Sequence, residues 1–366
     1  MIYVTRPQLP DRERLYAYLD GICQRQWFAN DGQLVRELTD RLEQYLGVEN
    51  LLLVANGTLA LQIAYRAVSL TPPIQGGSNH VVTSPFSFIA TASSLKWEGM
   101  QPRFVDIDLN TWCMDPKKLE AAITQETRGI VPVHVFGNAC DVDAIEEIAR
   151  KHDLPVVYDA SHAFGVRYGE KSLLDHGDAA TLSFHATKLF HTGEGGAIVF
   201  KRRENLDRAR RHINFGITGP ECVEQLGINA KMSEMQAALG LCVLDEMESH
   251  MESRRHIWNR YNEALQGSIQ TQTLNEPLDY NYSYFPAAFQ NAEQMTKIDS
   301  ALKANDILAR RYFAPSLDTL ECLDDTRAQP LSRDLAGRIL CLPIYASLQH
   351  AEQAKVISVI QGSLQG

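Results

Sequence analysis

The chain has 366 residues, 45% hydrophobic and 22% charged, with a formal net charge of −10. That composition is ordinary for a soluble globular protein, and the length leaves room for two or three domains or one large α/β unit with an appendage. The acidic balance argues against general nucleic-acid binding and against adhesion to anionic membranes, but a local positive pocket for a small anion remains compatible with it.

Residues 1–15 carry Arg6, Asp11, Arg12, Glu13 and Arg14 with no apolar core, which is not the pattern of a signal peptide. No apolar run approaches the roughly 18 residues needed to span a bilayer. The seven cysteines are scattered without a C-x-x-C pair. Neither a metal site nor a disulfide framework is expected, and a reducing cytoplasm suits the chain.

In chain order, residues 11–23 and 33–47 read as helices, the second with Leu34, Leu38, Leu42 and Leu46 in i+4 steps. Trp27 and Asn30, in the connection between them, are weak substrate-site candidates, since aromatics there are more often packing. Residues 50–53 lead through Val54-Ala55-Asn56-Gly57-Thr58 into a helix-like run, 59–68. This is strand, tight turn and helix start, where free backbone N–H groups favour an anion. Short strands are predicted at 80–84, 103–107, 129–136 and 155–158, with helices at 89–96, 115–124 and 141–152. The alternation implies an α/β domain with a mostly parallel sheet, active at the carboxyl ends of its strands. Asp159 falls at such an end, and so does Ser183 after the apolar run 179–182.

Between that run and a further strand at 197–200 lies Ser-Phe-His-Ala-Thr-Lys-Leu-Phe-His-Thr-Gly-Glu-Gly-Gly, residues 183–196. Lys188 has no carboxylate near it in sequence until Glu194. Desolvation lowers a lysine pKa and frees the amine as a nucleophile, although a loop lysine reaching water is the commoner case. From Met232 the chain runs without proline to 277 and reads as one long helix, or two in tandem, leading into a second unit. That unit has strands near 282–287 and 337–342 and helices near 292–305 and 351–361. The expected division is a large domain over 1–245 and a smaller α+β domain over 246–366.

An active lysine, a buried aspartate, an aromatic and a phosphate cradle together suit pyridoxal 5′-phosphate, which needs an imine partner, an acid for its ring nitrogen, a flat neighbour and phosphate donors. Lys188, Asp159, Phe88 and the Gly57-Thr58-Ser183 group supply these in the order of a single α/β domain.

Over nearly its whole length the sequence resembles the fold-type I aminotransferases acting on nucleotide-linked keto sugars, the DegT/DnrJ/StrS group. The shared stretches include Pro7 to Pro10, Asn56-Gly57-Thr58-Leu59-Ala60-Leu61, Pro85-Phe86-Ser87-Phe88 and Asp159-Ala160-Ser161-His162. They continue through Ser183 to Lys188, Gly193-Glu194-Gly195-Gly196, Gly227 to Met232 and Leu342-Pro343. The resemblance implies Lys188 as the imine lysine, Asp159 at the pyridine nitrogen, Phe88 on the ring, and Thr58 and Ser183 on the phosphate. It also implies a homodimer, with Asn229 reaching the phosphate in the neighbouring subunit. The cofactor would pass through its pyridoxamine form, with L-glutamate as donor. Asn56 replaces a common Ser. His162 replaces the usual Gln near the ring hydroxyl, and its titration would be expected to affect the pH profile.

Members making 4-amino-4,6-dideoxy sugars for surface polysaccharides such as O-antigen are similar in Asp-Ala-Ser-His and Phe-His-Ala-Thr-Lys. That similarity implies amination at C4 of a 6-deoxy-4-keto hexose on dTDP, with His185 facing the sugar or merely packed. Amination at C3, a cofactor-dependent sugar dehydratase and a non-catalytic regulator of the same fold are the alternatives. The dehydratases carry histidine in place of the lysine.

Overall fold

The computed structural model describes residues 1–71, 79–325 and 327–365. Its organising feature is a set of strands without a polar face. Leu51–Val54 and Gly196–Phe200 are buried at every position, and Ala179–Ser183 at all but the last. Strands buried on both sides need cover on both sides. Alternate residues divide accordingly: Leu51, Leu53, Leu182, Ala197 and Val199 join one core cluster, while Leu52, Val54, Ala179, Ile198 and Phe200 join a second.

Four strands pair in the order Leu51–Val54, Gly196–Phe200, Ala179–Ser183, Val157–Asp159. His80–Thr83 lies between Gln101–Phe104 and Thr127–Val131, parallel to both. Parallel bridges from Ile130 to Val156 and from Val133 to Asp159 join the two groups. Gly196–Phe200 runs against both of its neighbours, whereas Val157–Asp159 and Ala179–Ser183 are parallel. The fold is thus a mostly parallel α/β sheet with helices on both faces. Asp159 and Ser183 are the last residues of adjacent strands.

Two predicted strands are shorter or shifted, each for a local reason. The run expected at 129–136 ends at Val131, because Pro132 has no N–H to donate; Val135–Gly137 then makes a short 3-10 turn. The strand expected at 103–107 is instead Gln101–Phe104, at the sheet edge where Pro102 is tolerated. Beyond it, Asp106 turns its carboxylate to the backbone N–H groups of Leu331 and Ser332, both at 2.9 Å. Helices Arg203–His212 and Pro330–Arg338 have no counterpart among the predicted elements. The first is so rich in arginine that Leu206 and Ala209 are almost its whole apolar face.

The run from Met232 forms two helices, Glu234–Leu244 and Met247–Leu265. The second carries Met247 in the core beneath the sheet and Ile257, Tyr261 and Leu265 in a separate cluster. The antiparallel pair Phe285–Ala288 and Ile339–Leu342 and helices Ala292–Ala304 and His350–Gln365 complete that cluster. Ile2–Tyr3 joins it too, pairing in parallel with Ile307–Leu308.

Glu234, fully buried, fixes one helix against another. Its carboxylate accepts from Leu34 N–H at 3.0 Å and Val35 N–H at 2.9 Å, in the first turn of helix Gln33–Leu46. The N-cap of that helix, Gly32, has no side chain to do this, so a carboxylate 200 residues later in the chain serves as its cap. Space is the reason for the glycine: a Cβ at position 32 would lie 2.4 Å from the Glu234 carboxyl carbon. Glu234→Ala should lower stability by about 2–4 kcal/mol by leaving two buried N–H groups unmet. Chemical denaturation of the two proteins would measure the loss, and Glu234→Gln should lose less.

Candidate active site

The carboxyl ends of the strands open on a cavity of about 600 Å³. Gly57, Thr58, Phe88, Asp159, His162, Ser183, His185 and Lys188 all line it. Eight of the eleven residues singled out in the sequence are therefore brought together.

One wall is the start of helix Gly57–Ala67. Asn56, extended at φ −167°, caps it by accepting from Leu59 N–H at 2.9 Å. Gly57 and Thr58 occupy the first two helical positions, whose N–H groups have no intrahelical acceptor. Ser183 presses directly on this turn: a Cβ on Gly57 would come within 2.8 Å of the Ser183 Cβ. The result is a shallow cradle of backbone donors with two hydroxyls beside it, suited to an anion.

Asp159, 6% exposed, is held by donors on both oxygens. Oδ1 accepts from Ser161 N–H at 3.1 Å and Ser161 Oγ at 2.6 Å, and Oδ2 accepts from Thr91 Oγ1 at 2.6 Å. Since Thr91 gives its proton to Asp159, the 2.7 Å contact between Ser87 and Thr91 has Ser87 donating. A carboxylate that only accepts is arranged as an ionised one.

Lys188 sits in a loop closed on itself by Phe184 N–H to Gly195 O, Ala186 N–H to Gly193 O and Lys188 N–H to His185 O, each at 2.8 Å. Desolvation lowers the pKa of its amine to about 8, with the charge of Arg310 acting the same way and Asp159 opposing both. Lys188 is half-buried, and no acceptor for its amine is found among the described residues. It is a lysine poised to lose its proton near neutrality.

His162 differs from its expected behaviour. Its ring lies near-parallel to those of Phe136 and Phe313 in a cluster of three, with centroids 6.0 and 5.5 Å away, and Nδ1 accepts from Phe136 N–H at 3.2 Å. The tautomer is fixed with the proton on Nε2. Burial, seconded by the Lys188 charge, drives its pKa well below the ordinary value. A shift in that direction favours the neutral imidazole, with Nε2–H left to donate.

Phe88 is 52% exposed, presenting its ring to the cavity. His185 shares Nδ1 with Thr187 Oγ1 at 2.8 Å and turns Nε2 toward Glu194 at 3.7 Å. The other three candidates lie elsewhere. Trp27 is exposed outside this cavity, Asn30 lines a separate one of about 540 Å³, and Asn229 is exposed beside Asn214. The sequence reading missed Tyr284, Arg310, Tyr312 and Phe313, which close the cavity from the C-terminal part of the chain. Their one signal is Arg310-Arg311-Tyr312-Phe313, a basic and aromatic run just before Pro315.

The His162 environment has a measurable consequence. An unfolded histidine takes up a proton below about pH 6.5, and the folded one refuses it, so the unfolded chain binds more protons and stability falls as pH falls. His162→Gln should make that acid-side slope shallower by up to about 1.4 kcal/mol per pH unit. Denaturation midpoints measured from pH 7 downward would show it, while the activity profile near neutrality should keep its shape.

A family model for DegT/DnrJ/EryC1/StrS aminotransferases matches residues 10–361. A dTDP-4-amino-4,6-dideoxy-D-glucose transaminase from Shigella dysenteriae is 39% identical over 98% of this chain and 98% of its own. One of the same name from Escherichia coli is 35% identical over 99% of each. Among solved structures, DesI with its TDP-sugar product superposes with a TM-score of 0.90 at 31% identity, covering 99% of this chain and 93% of that one. The chain belongs to the DegT/DnrJ/EryC1/StrS aminotransferase family.

Proposed function

We propose that the protein transfers the amino group of L-glutamate to C4 of dTDP-4-keto-6-deoxy-glucose, giving a 4-amino-4,6-dideoxy sugar nucleotide for surface polysaccharide such as O-antigen. The observation that carries this reading is the joint one of 39% identity to a transaminase of that product and a single cavity containing Lys188, Asp159 and the anion cradle. Pyridoxal 5′-phosphate fits the residues present. The Gly57 and Thr58 N–H groups, the Ser183 hydroxyl, the Lys188 amine and His162 Nε2 all line the cavity without an acceptor among the described residues.

When bound, that cofactor supplies an electrophilic carbon and an electron sink. The Gly57-Thr58 turn and Ser183 would hold its phosphate, Phe88 would flank the ring, and His162 would donate from Nε2 to the ring hydroxyl. Asp159, fixed by Ser161 and Thr91, would keep the ring nitrogen protonated without having to reorganise, which is where electrostatic catalysis is strongest. Lys188 would hold the group through its amine and, once free, would serve as the base that takes the proton from the amino-acid Cα. His185, exposed at the cavity mouth, is assigned to the sugar.

A homodimer belongs to the same proposal. Phe28, Phe215, Ile217, Leu226 and Ile228 are large, apolar and exposed, and the last four precede Asn229 within 14 residues. A second copy covering them would let Asn229 reach its partner's phosphate and bring Trp27 and Asn30 toward a shared site. We take residues 1–245 as the cofactor-binding domain and 246–366 as the small domain. No helix among the described residues is long and apolar enough to cross a membrane; a cytoplasmic location is part of the proposal. Lys188 speaks against the dehydratase, and the intact cradle against the regulator.

Purified protein should be yellow, with a visible band that glutamate bleaches and the keto sugar restores; mass and NMR analysis of the product would identify the aminated carbon. Lys188→Ala should lower turnover by more than about 10³-fold and Asp159→Ala by about 10²–10³-fold. A wild-type rate in either variant would refute its role.

A further inference from the structure

Two carboxylates lie on the wall of the main cavity among the described residues, and their surroundings differ. Asp159 is buried and accepts from Ser161 and Thr91 on its two oxygens. The Glu194 side chain is 61% exposed, and no hydrogen bond to its carboxylate is found among the described residues. Its backbone is held all the same. Glu194 O accepts from Thr192 Oγ1 and from Gln236 Nε2, both at 2.6 Å, and a Cβ on the next residue, Gly195, would collide with that Thr192 hydroxyl. The antiparallel register that sets Ser183 opposite Gly196 continues into the loop. Phe184 N–H bonds Gly195 O and Ala186 N–H bonds Gly193 O, so His185 stands opposite Glu194 between the two bonds. Side chains at such a position share a face and lie close together. His185 Nε2 and Glu194 Oε1 are 3.7 Å apart, too far for a hydrogen bond between them. His185 Nδ1 accepts from Thr187 N–H at 3.2 Å, which places the proton of the neutral ring on Nε2. The pair thus offers one donor and one acceptor side by side on the cavity wall.

We propose that Glu194 selects the sugar by accepting from the hydroxyl on C3, while His185 donates to the same oxygen. A hydroxyl oxygen can stand about 2.8 Å from each of two atoms that are 3.7 Å apart, giving its proton to the carboxylate and accepting from the imidazole. Charge decides against the other groups of the two substrates. A carboxylate repels the diphosphate of the nucleotide sugar and both carboxylates of the amino-acid donor, so its partner there is an uncharged donor. In a 6-deoxy-4-keto hexose C4 is the reacting carbon and C6 is a methyl, which leaves O–H donors at C2 and C3. C3 adjoins the carbon that must meet the position served by Lys188, and Glu194 closes the same loop that holds Lys188. A hydrogen bond to an ionised acceptor is among the stronger ones, so this contact separates sugars that carry the hydroxyl from those that lack it.

The inference rests on the sugar-aminotransferase reading, and its test separates the two. The probes are dTDP, dTDP-6-deoxyglucose and dTDP-3,6-dideoxyglucose, none of which has a ketone to react, with binding to the cofactor-loaded protein measured by calorimetry. Wild-type protein should bind the 6-deoxy sugar nucleotide on the order of 10- to 100-fold more tightly than the 3,6-dideoxy one. Glu194→Gln, which keeps an acceptor oxygen, should retain part of that preference, and Glu194→Ala should lose it. Both variants should bind dTDP itself as the wild type does. Equal affinity of the wild type for the two sugar nucleotides, or an undiminished preference in Glu194→Ala, overturns the assignment. So does a loss in Glu194→Ala that is as large for dTDP as for its sugars. Failure of dTDP-4-keto-6-deoxy-glucose to take the amine, with the hydroxyl preference and its dependence on Glu194 intact, would leave Glu194 as the hydroxyl receptor and refute the substrate assignment alone.

Discussion

No side-chain carbon fits between the helix start at Gly57 and the strand end at Ser183, and the site is built on that closeness. The neighbouring strand obeys the same limit: a Cβ on Gly196 would lie 2.7 Å from the Asn56 carbonyl and 2.9 Å from Leu182 O. Three segments distant in sequence thus meet at backbone contact, made possible by two glycines without left-handed geometry at either. The antiparallel strand Gly196–Phe200 follows from this packing, since it must enter the sheet beside Asn56 to bring its preceding loop over the cavity. That loop is the one holding Lys188. Helix start, strand end and lysine are packed as one unit, which explains why free backbone donors and a desolvated amine face the same space.

Within that space the electrostatics are arranged in opposition. Burial and Arg310 press the Lys188 amine toward its neutral form, and Asp159 restrains it. The compromise near 8 leaves the amine able to act both as a base and as a cation, the two states a proton carrier needs. The carboxylate exerting the restraint is immobilised by Ser161 and Thr91, so its charge is delivered from a fixed position. His162 contributes no charge at all. Its neutrality follows from burial within a cluster of Phe136, Phe313 and Tyr284 and from a backbone donor that occupies Nδ1.

The sheet and most of the site were legible in the sequence because strands buried on two sides leave long apolar runs, and because reactive residues cluster at the ends of those runs. Asp159 and Ser183 could be placed at strand ends from local pattern alone. Three kinds of feature were not legible. Arginine-rich helix Arg203–His212 hides its few apolar contacts in a charged run. Pro132 and Asp106 truncate strands by withholding or diverting backbone partners, which apolar content does not reveal. Arg310, Tyr312 and Phe313 reach the cavity from more than 120 residues beyond Lys188, a distance across which periodicity carries no information. Asn229, Trp27 and Asn30 lie apart from this cavity because a single chain does not fold them into it; their assignment depends on a second copy.

The cap that Glu234 provides for helix Gln33–Leu46 has an implication for sequence comparison. Gly32 and Glu234 compete for one volume, so neither position is free to vary by itself. A Cβ at position 32 would require the Glu234 carboxylate to move or be replaced, and a capping side chain at position 32 could then take over its role. The two positions, 202 residues apart, are therefore expected to vary together, a constraint set by helix capping and independent of the active site.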